Sequence, residues 1–221
     1  MRKIAILVGL MAVVLATSPA LAASKAKTRP LTPALASQMN GKVVAETRRG
    51  PANFAARTPG RSMAGFGGAG LADEAGNRLV ERDKIADPSR ALSAELTRAL
   101  VEKIGARLSP TKALAIGDTP ADLAVSGPGA QFVFDVGTDA WGFEVINKGR
   151  YGAFYKATVR LVEVSSQTVV MTAVCDWKPF GLRTFSDEEI KAVGSEGVKA
   201  HLEAATQACL TLFKRELFGA E

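Results

Sequence analysis

The chain has one histidine, His201, and two cysteines, Cys175 and Cys209, in 221 residues. These scarcities close off several kinds of chemistry. A zinc site of the H-E-x-x-H type needs two histidines on one helix face, and a serine, threonine or cysteine nucleophile needs a base beside it. No G-x-S-x-G nucleophile elbow occurs. The cysteines lie 34 positions apart, too far for a C-x-x-C redox pair. His201 sits beside Leu202 in a helical stretch, where a surface or partly packed imidazole is the ordinary outcome. After the amino-terminal stretch, no apolar run approaches the roughly 20 residues that cross a bilayer.

What is present begins with an address. Arg2 and Lys3 precede an apolar run from Ile4 to Leu15, and Thr17, Ser18 and Pro19 break it ahead of Ala20, Leu21 and Ala22. This is the pattern of a signal peptide over residues 1–22, cleaved between Ala22 and Ala23. The apolar core is too short for a membrane-spanning helix. A lipid anchor needs Cys immediately after the cut, where this chain has Ala23. The expected location is the periplasm, with peripheral contact to the outer membrane. That compartment is oxidising, so Cys175 and Cys209 are expected to pair, two buried thiols being the alternative.

Lys and Arg outnumber Asp and Glu by 28 to 22, a formal net charge of +6. Much of the excess falls early: Lys25, Lys27, Arg29, Lys42, Arg48, Arg49, Arg57 and Arg61 face Glu46 alone before residue 63. Residues 23–76 therefore read as a basic, Gly/Pro-rich, largely disordered arm with too little apolar content to offset the entropy of ordering it. Only Lys42 to Glu46 reads as a short strand. The arm would be a solvated linker or a cationic tether to anionic membrane surface. The glycine-rich run Met63 to Leu71 comes after no strand and is expected to be a flexible loop or close-packing patch rather than a phosphate cradle.

Residues 77–221 read as one α+β domain. Asp87 and Pro88 open a helix carrying Leu92, Leu96, Leu100, Ile104 and Leu108 at intervals of four, stopped by Gly105 and Pro110. Strands come next at Phe132 to Val136 and Trp141 to Val145, then a turn at Asn147 to Arg150. Further strands run from Tyr155 to Leu161 and from Thr168 to Trp177, with Val169, Met171, Ala173 and Cys175 on one face. Ser186 and Glu189 form a capping box that opens the last helical region. Gly194 and Gly197 are expected to interrupt that region, and Leu202, Ala205, Cys209, Leu212 and Phe213 line one helix face beyond them. The expected architecture is a mostly antiparallel sheet of about four to five strands, one helix before it and a long C-terminal helix on one face. A Cys175–Cys209 bond would staple that helix to the sheet.

Two constellations carry candidate chemistry. Trp141, Phe143, Tyr151, Phe154, Tyr155 and Trp177 gather around one hairpin, with Lys148 and Arg150 at its turn. Interfaces favour Trp, Tyr and Arg, so Tyr151, Tyr155, Trp141 and Arg150 are the candidate binding residues, the two tyrosines best placed for exposure. Asp135, Asp139 and Glu144 would serve a glycan hydrolase if two of them met across a cleft. Asp at strand ends more ordinarily faces water or turn backbone.

From Asp87 to Leu217 the order of elements resembles small periplasmic envelope proteins. It is similar in plan to the periplasmic part of the curli secretion subunit and to the amino-terminal domain of the Tol-system protein TolB. The stretch Phe132 to Phe143, with Tyr151 to Leu161 and Cys175, also resembles uncharacterised envelope lipoproteins. The resemblance implies assembly or binding rather than catalysis. The expectation is a non-enzymatic envelope protein that binds a protein partner or envelope polymer, with a carboxylate-dependent hydrolase as the alternative. No cofactor, metal site or nucleic-acid partner is expected.

Overall fold

The leucine stripe after Asp87 folds as a helix as far as Ile104 in the computed structural model of the chain, which describes residues 28–50, 52–59, 68–110, 112–179, 184–192 and 194–219. Leu108, expected on the same stripe, lies past the Gly105 stop in a short strand and is 44% exposed. Pro88–Ile104 is helical, and Asp87 caps it by accepting the Ser89 N–H at 2.8 Å. Leu92, Leu96 and Leu100 are fully buried, each stabilising the fold by roughly 1.5–3 kcal/mol relative to exposure. The signal peptide, its cleavage position at Ala22 and Ala23, and Met63 to Gly67 lie outside the described residues.

In chain order the elements are α1 (Pro33–Met39), β1 (Val43–Arg48), β2 (Phe54–Ala56), α2 (Gly68–Asp83), α3 (Pro88–Ile104), β3 (Arg107–Leu108) and β4 (Ala113–Leu114). Then come α4 (Pro120–Ser126), β5 (Phe132–Asn147), β6 (Arg150–Glu163), β7 (Thr168–Trp177), β8 (Phe185–Ser186), α5 (Asp187–Lys191) and α6 (Glu196–Phe218). The sheet runs β3-β1-β5-β6-β7, with β2 also on β5, β4 on β1 and β8 on β6. The β5-β6-β7 meander and β8 are antiparallel, whereas β1 and β2 join in parallel. The fold is α+β, but the sheet has eight strands among the described residues and is mixed rather than four or five and nearly all antiparallel.

Strands β1 and β2 come from the stretch read as a largely disordered arm, where only Lys42 to Glu46 read as a strand. Both join the sheet, so the chain does not divide at residue 76. Met39, Val44 and Phe54 have no exposed surface, and Leu35 is buried beside them. Apart from the strand read at Lys42 to Glu46, the apolar pieces here are too short for helix or strand periodicity to register in sequence, yet they enter a core built by distant elements. Arg29 pairs with Thr172 on β7, its N–H donating at 2.8 Å.

Two bulges reset side-chain parity. Phe132, Phe134 and Val136 face the main core at even positions, whereas Trp141 and Phe143 face it at odd positions. An irregularity between Thr138 and Ala140 absorbs the extra residue, so two expected strands are one strand of 16 residues. A second shift lies opposite the Leu161/Val162 step and sends Val170 to the main core and Val169 to the opposite face. The expected in-facing row of β7 is therefore Met171, Ala173 and Cys175 without Val169.

The main core lies between one sheet face and helices α3 and α6, which also touch each other. Helix α4 covers part of the other face, where Leu123 and Ala124 pack on Ala45, Val133 and Val162. Two glycines mark close approaches. A Cβ at Gly142 (φ +155) would meet the Ala55 carbonyl oxygen at 2.1 Å, and one at Gly76 would meet that of Phe54 at 1.7 Å. Strand β2 is thus pressed against both β5 and α2. Gly194 precedes α6 and Gly197 lies within it, so only the first interrupts the helical region. The Cys175–Cys209 disulfide joins β7 to α6 across a Cα–Cα distance of 5.6 Å.

Candidate functional site

Three of the four candidate binding residues are internal, a correction to the expected exposed hairpin, and only Arg150 keeps partial exposure, its side chain 37% exposed. Tyr155 has no exposed surface, and Trp141 and Tyr151 are 1% and 5% exposed. Trp141 and Tyr151 belong to an aromatic chain in which Phe54 meets Trp141 at 4.8 Å and Phe143 meets Tyr151 at 5.7 Å. The Trp141 indole N–H donates to the Ala52 carbonyl at 2.9 Å, closing the segment before β2 over the ring. Arg150 donates from Nε to Thr184 Oγ1 at 2.9 Å and holds the chain entering β8. The bulge and the β2 contact, neither legible locally, decide this burial. His201 is buried too, 5% exposed, and its Nδ1 accepts the Ala153 N–H at 3.2 Å.

The three carboxylates considered for hydrolysis do not meet. Asp135 has no exposed surface. It accepts from Thr47 Oγ1 at 2.6 Å, from Arg49 Nε and Nη2 at 2.7 and 2.9 Å, and from Arg160 Nε and Nη2 at 3.2 and 2.9 Å. Such a carboxylate is a structural counter-ion, with no oxygen left for a substrate. Asp139 accepts from Thr158 Oγ1 at 2.7 Å, and Glu144 lies 3.3 Å from Arg57. Asp118 completes the first cluster by pairing with Arg49 and lying 3.6 Å from Arg160. Its carboxyl is lowered, first by the Arg49 hydrogen bond and then by that guanidinium's charge. The Arg49 guanidinium is raised: burial opposes its charge, and the Asp135 and Asp118 contacts outweigh the burial.

Beside this cluster lies a polar groove that the sequence did not signal. Two adjoining hollows of about 270 and 310 Å³ share Arg49, Asp87 and Ser89. The first runs between Glu46 and Arg48 of β1, Ser93 and Arg90 of α3, and Lys112; the second continues past Thr138 to Ile116 and Asp118. Glu46 is matched by Lys112 and Asp118 by Arg49, whereas Asp87 has hydrogen bonds but no cationic partner among the described residues. Glu46 accepts from Lys112 Nζ and Ser93 Oγ, both at 2.6 Å. Asp87 accepts from Thr138 Oγ1 at 2.6 Å, and that hydroxyl also lies 3.2 Å from the Tyr155 hydroxyl. Burial pushes the Tyr155 phenol well above its ordinary value, so it stays protonated.

Three groups in the groove are left over. Arg48 and Arg90 form no ion pair with any described residue, and the Ser89 hydroxyl makes no hydrogen bond to one although Ser89 is only 9% exposed. Two arginines with free forks and a donor hydroxyl at a helix start suit an acidic group. Pairing of Arg48 with Arg90 across the groove is long-range and left no local sequence signal. Among the described residues, no three His, Cys, Asp or Glu side chains cluster as metal ligands.

No family model and no curated protein matches the chain. Solved structures of bacterial proteins resemble it loosely. A family DUF330 protein from Xanthomonas campestris is 16% identical over 85% of this chain and 88% of its own, with a TM-score of 0.41. A candidate homologue of the neuraminyllactose-binding hemagglutinin from Helicobacter pylori is 12% identical over 87% of each chain, at 0.42. A candidate lipoprotein from Caulobacter crescentus is 12% identical over 62% of this chain and 89% of its own, at 0.31. Likeness at this level assigns neither a family nor an activity. No helix among the described residues is long and apolar enough to cross a membrane.

Proposed function

We propose that the protein is a non-enzymatic component of the bacterial envelope, exported to the periplasm, that binds an acidic group of a protein partner or envelope polymer in assembly or maintenance. The groove between β1, α3 and residues 112–118 is the binding site. The observation that carries this reading is the pair Arg48 and Arg90, left without acidic partners among the described residues in a groove whose other charges are mostly matched. The export signal at residues 1–22 supports the compartment, and the buried, five-bonded Asp135 argues against the hydrolase. The binding residues move from the aromatic hairpin, now core, to Arg48, Ser89 and Arg90.

The test is site-specific photo-crosslinking in the exported full chain. A crosslinker at position 112 in the groove should give discrete adducts that disappear when Arg48→Glu and Arg90→Glu are combined. A crosslinker at position 148, exposed in the β5–β6 turn at the opposite end of β5 from Phe132, should not give them. Adducts from position 112 that survive the double charge reversal would refute the reading.

A further inference from the structure

We infer that the groove takes an extended polypeptide segment bearing both acidic and aliphatic side chains, rather than an acidic glycan; this inference rests on the groove reading above. Two features separate the occupants. Among the described residues no aromatic side chain lines either hollow, so a sugar ring finds no described face on which to stack, and the described aromatics are buried. The groove instead opens beside three exposed aliphatics: Leu114 and Ile116, each 67% exposed, and Val125 at 58%.

These three are placed by the fold rather than scattered. Ala115 packs inward on the second core, so its neighbours Leu114 and Ile116 stand outward. The Ile116 N–H donates to Ser126 Oγ at 3.3 Å, bringing Ile116 beside the end of α4, where Val125 is exposed. Ile116 also lines the second hollow, which makes the aliphatic patch continuous with the charged groove. Strand β4 pairs with β1 on one side, and no described strand pairs with its outer edge. An open strand edge with exposed aliphatic side chains is where an extended peptide adds to a sheet. Acidic side chains of such a segment would meet Arg48 and Arg90, while aliphatic ones would cover Leu114, Ile116 and Val125.

The test uses the mature chain and three fluorescent probes: a peptide alternating Glu and Leu, polyglutamate of equal length, and polygalacturonate. Fluorescence anisotropy gives Kd at low and physiological ionic strength. The alternating peptide should bind about tenfold more tightly than either polyanion, a gap that burial of a few aliphatic groups supplies. Leu114→Ser with Val125→Ser, both at exposed positions outside the lining of either hollow, should close that gap without weakening polyglutamate. Arg48→Glu should weaken all three probes. Polygalacturonate binding at least as tightly as the peptide, and indifferent to the two serines, would overturn the peptide inference and leave the groove reading standing. Binding of every probe unaffected by Arg48→Glu would overturn the groove reading itself.

Discussion

Asp135 is a carboxylate removed from water between two guanidiniums whose side chains are 21% and 19% exposed. Removing one member of such a buried set leaves uncompensated charge, which typically costs 3–5 kcal/mol. Asp135→Asn is therefore expected to lower stability by about that amount, read as a shift in denaturant midpoint. A loss below about 1 kcal/mol would mean the arginines re-solvate freely. Thr97 is the opposite case: 2% exposed, it carries a hydroxyl without a hydrogen-bond partner among the described residues. Thr97→Val keeps the shape and removes that polar atom, so a gain of about 1 kcal/mol is expected in the same measurement. Neither environment was legible in sequence. Asp135 looked like a turn residue because its partner Arg49 lies 86 positions away, and local pattern carries no information at that distance.

Elements were readable where their own periodicity was long. Helix α3 was legible from its cap to Gly105, although Leu108 of β3 was counted on its stripe, and so was the capping box at Ser186 and Glu189, because those signals are local. The break in parity between Val136 and Trp141 was visible, but it was taken for two strands when a bulge explains it with one. Helix α4 was missed, although Thr119 and Asp122 form a complete capping box. The junction between α2 and α6 rests on Asp83, which accepts from Arg82 Nη2 at 2.6 Å, from Ser195 Oγ and from the Gly194 N–H at 3.2 Å. Its carboxyl is held well below the ordinary range, first by the Arg82 hydrogen bond and against the effect of burial. A depressed carboxyl contributes stability that is present above its unfolded value of about 3.9 and is lost as pH falls further. Thermal midpoints should therefore be flat above about pH 5 and drop below about pH 4. Asp83→Asn should make the drop shallower. An equally steep acid loss in that variant would show that other carboxylates set the acid limit.

At the scale of the molecule, the sheet draws strands from both ends of the described chain, which is why the expected arm could not be separated from the domain. Residues 33–56 supply α1, β1 and β2, and the same β1 carries Arg48 to the groove. The disulfide closes the other end, tying α6 to β7 over a separation of 34 residues. It is expected to stabilise the fold by roughly 3–4 kcal/mol in the chain-entropy account. Compartment logic made this bond legible, since an exported chain with two cysteines most simply pairs them. The proposed groove was not legible, because aromatic enrichment pointed to the hairpin while the bulge and β2 buried its rings.

The most direct measurement is a two-dimensional NMR titration of the isotope-labelled mature chain with polyglutamate. Saturable shifts are expected at Arg48, Ser89, Arg90 and Lys112, sharing one binding curve, weakening with added salt, and vanishing in the Arg48→Glu, Arg90→Glu variant. Shifts confined to the basic segment around Lys25, Lys27 and Arg29, or no saturable shifts in the groove, would contradict the groove as the binding site.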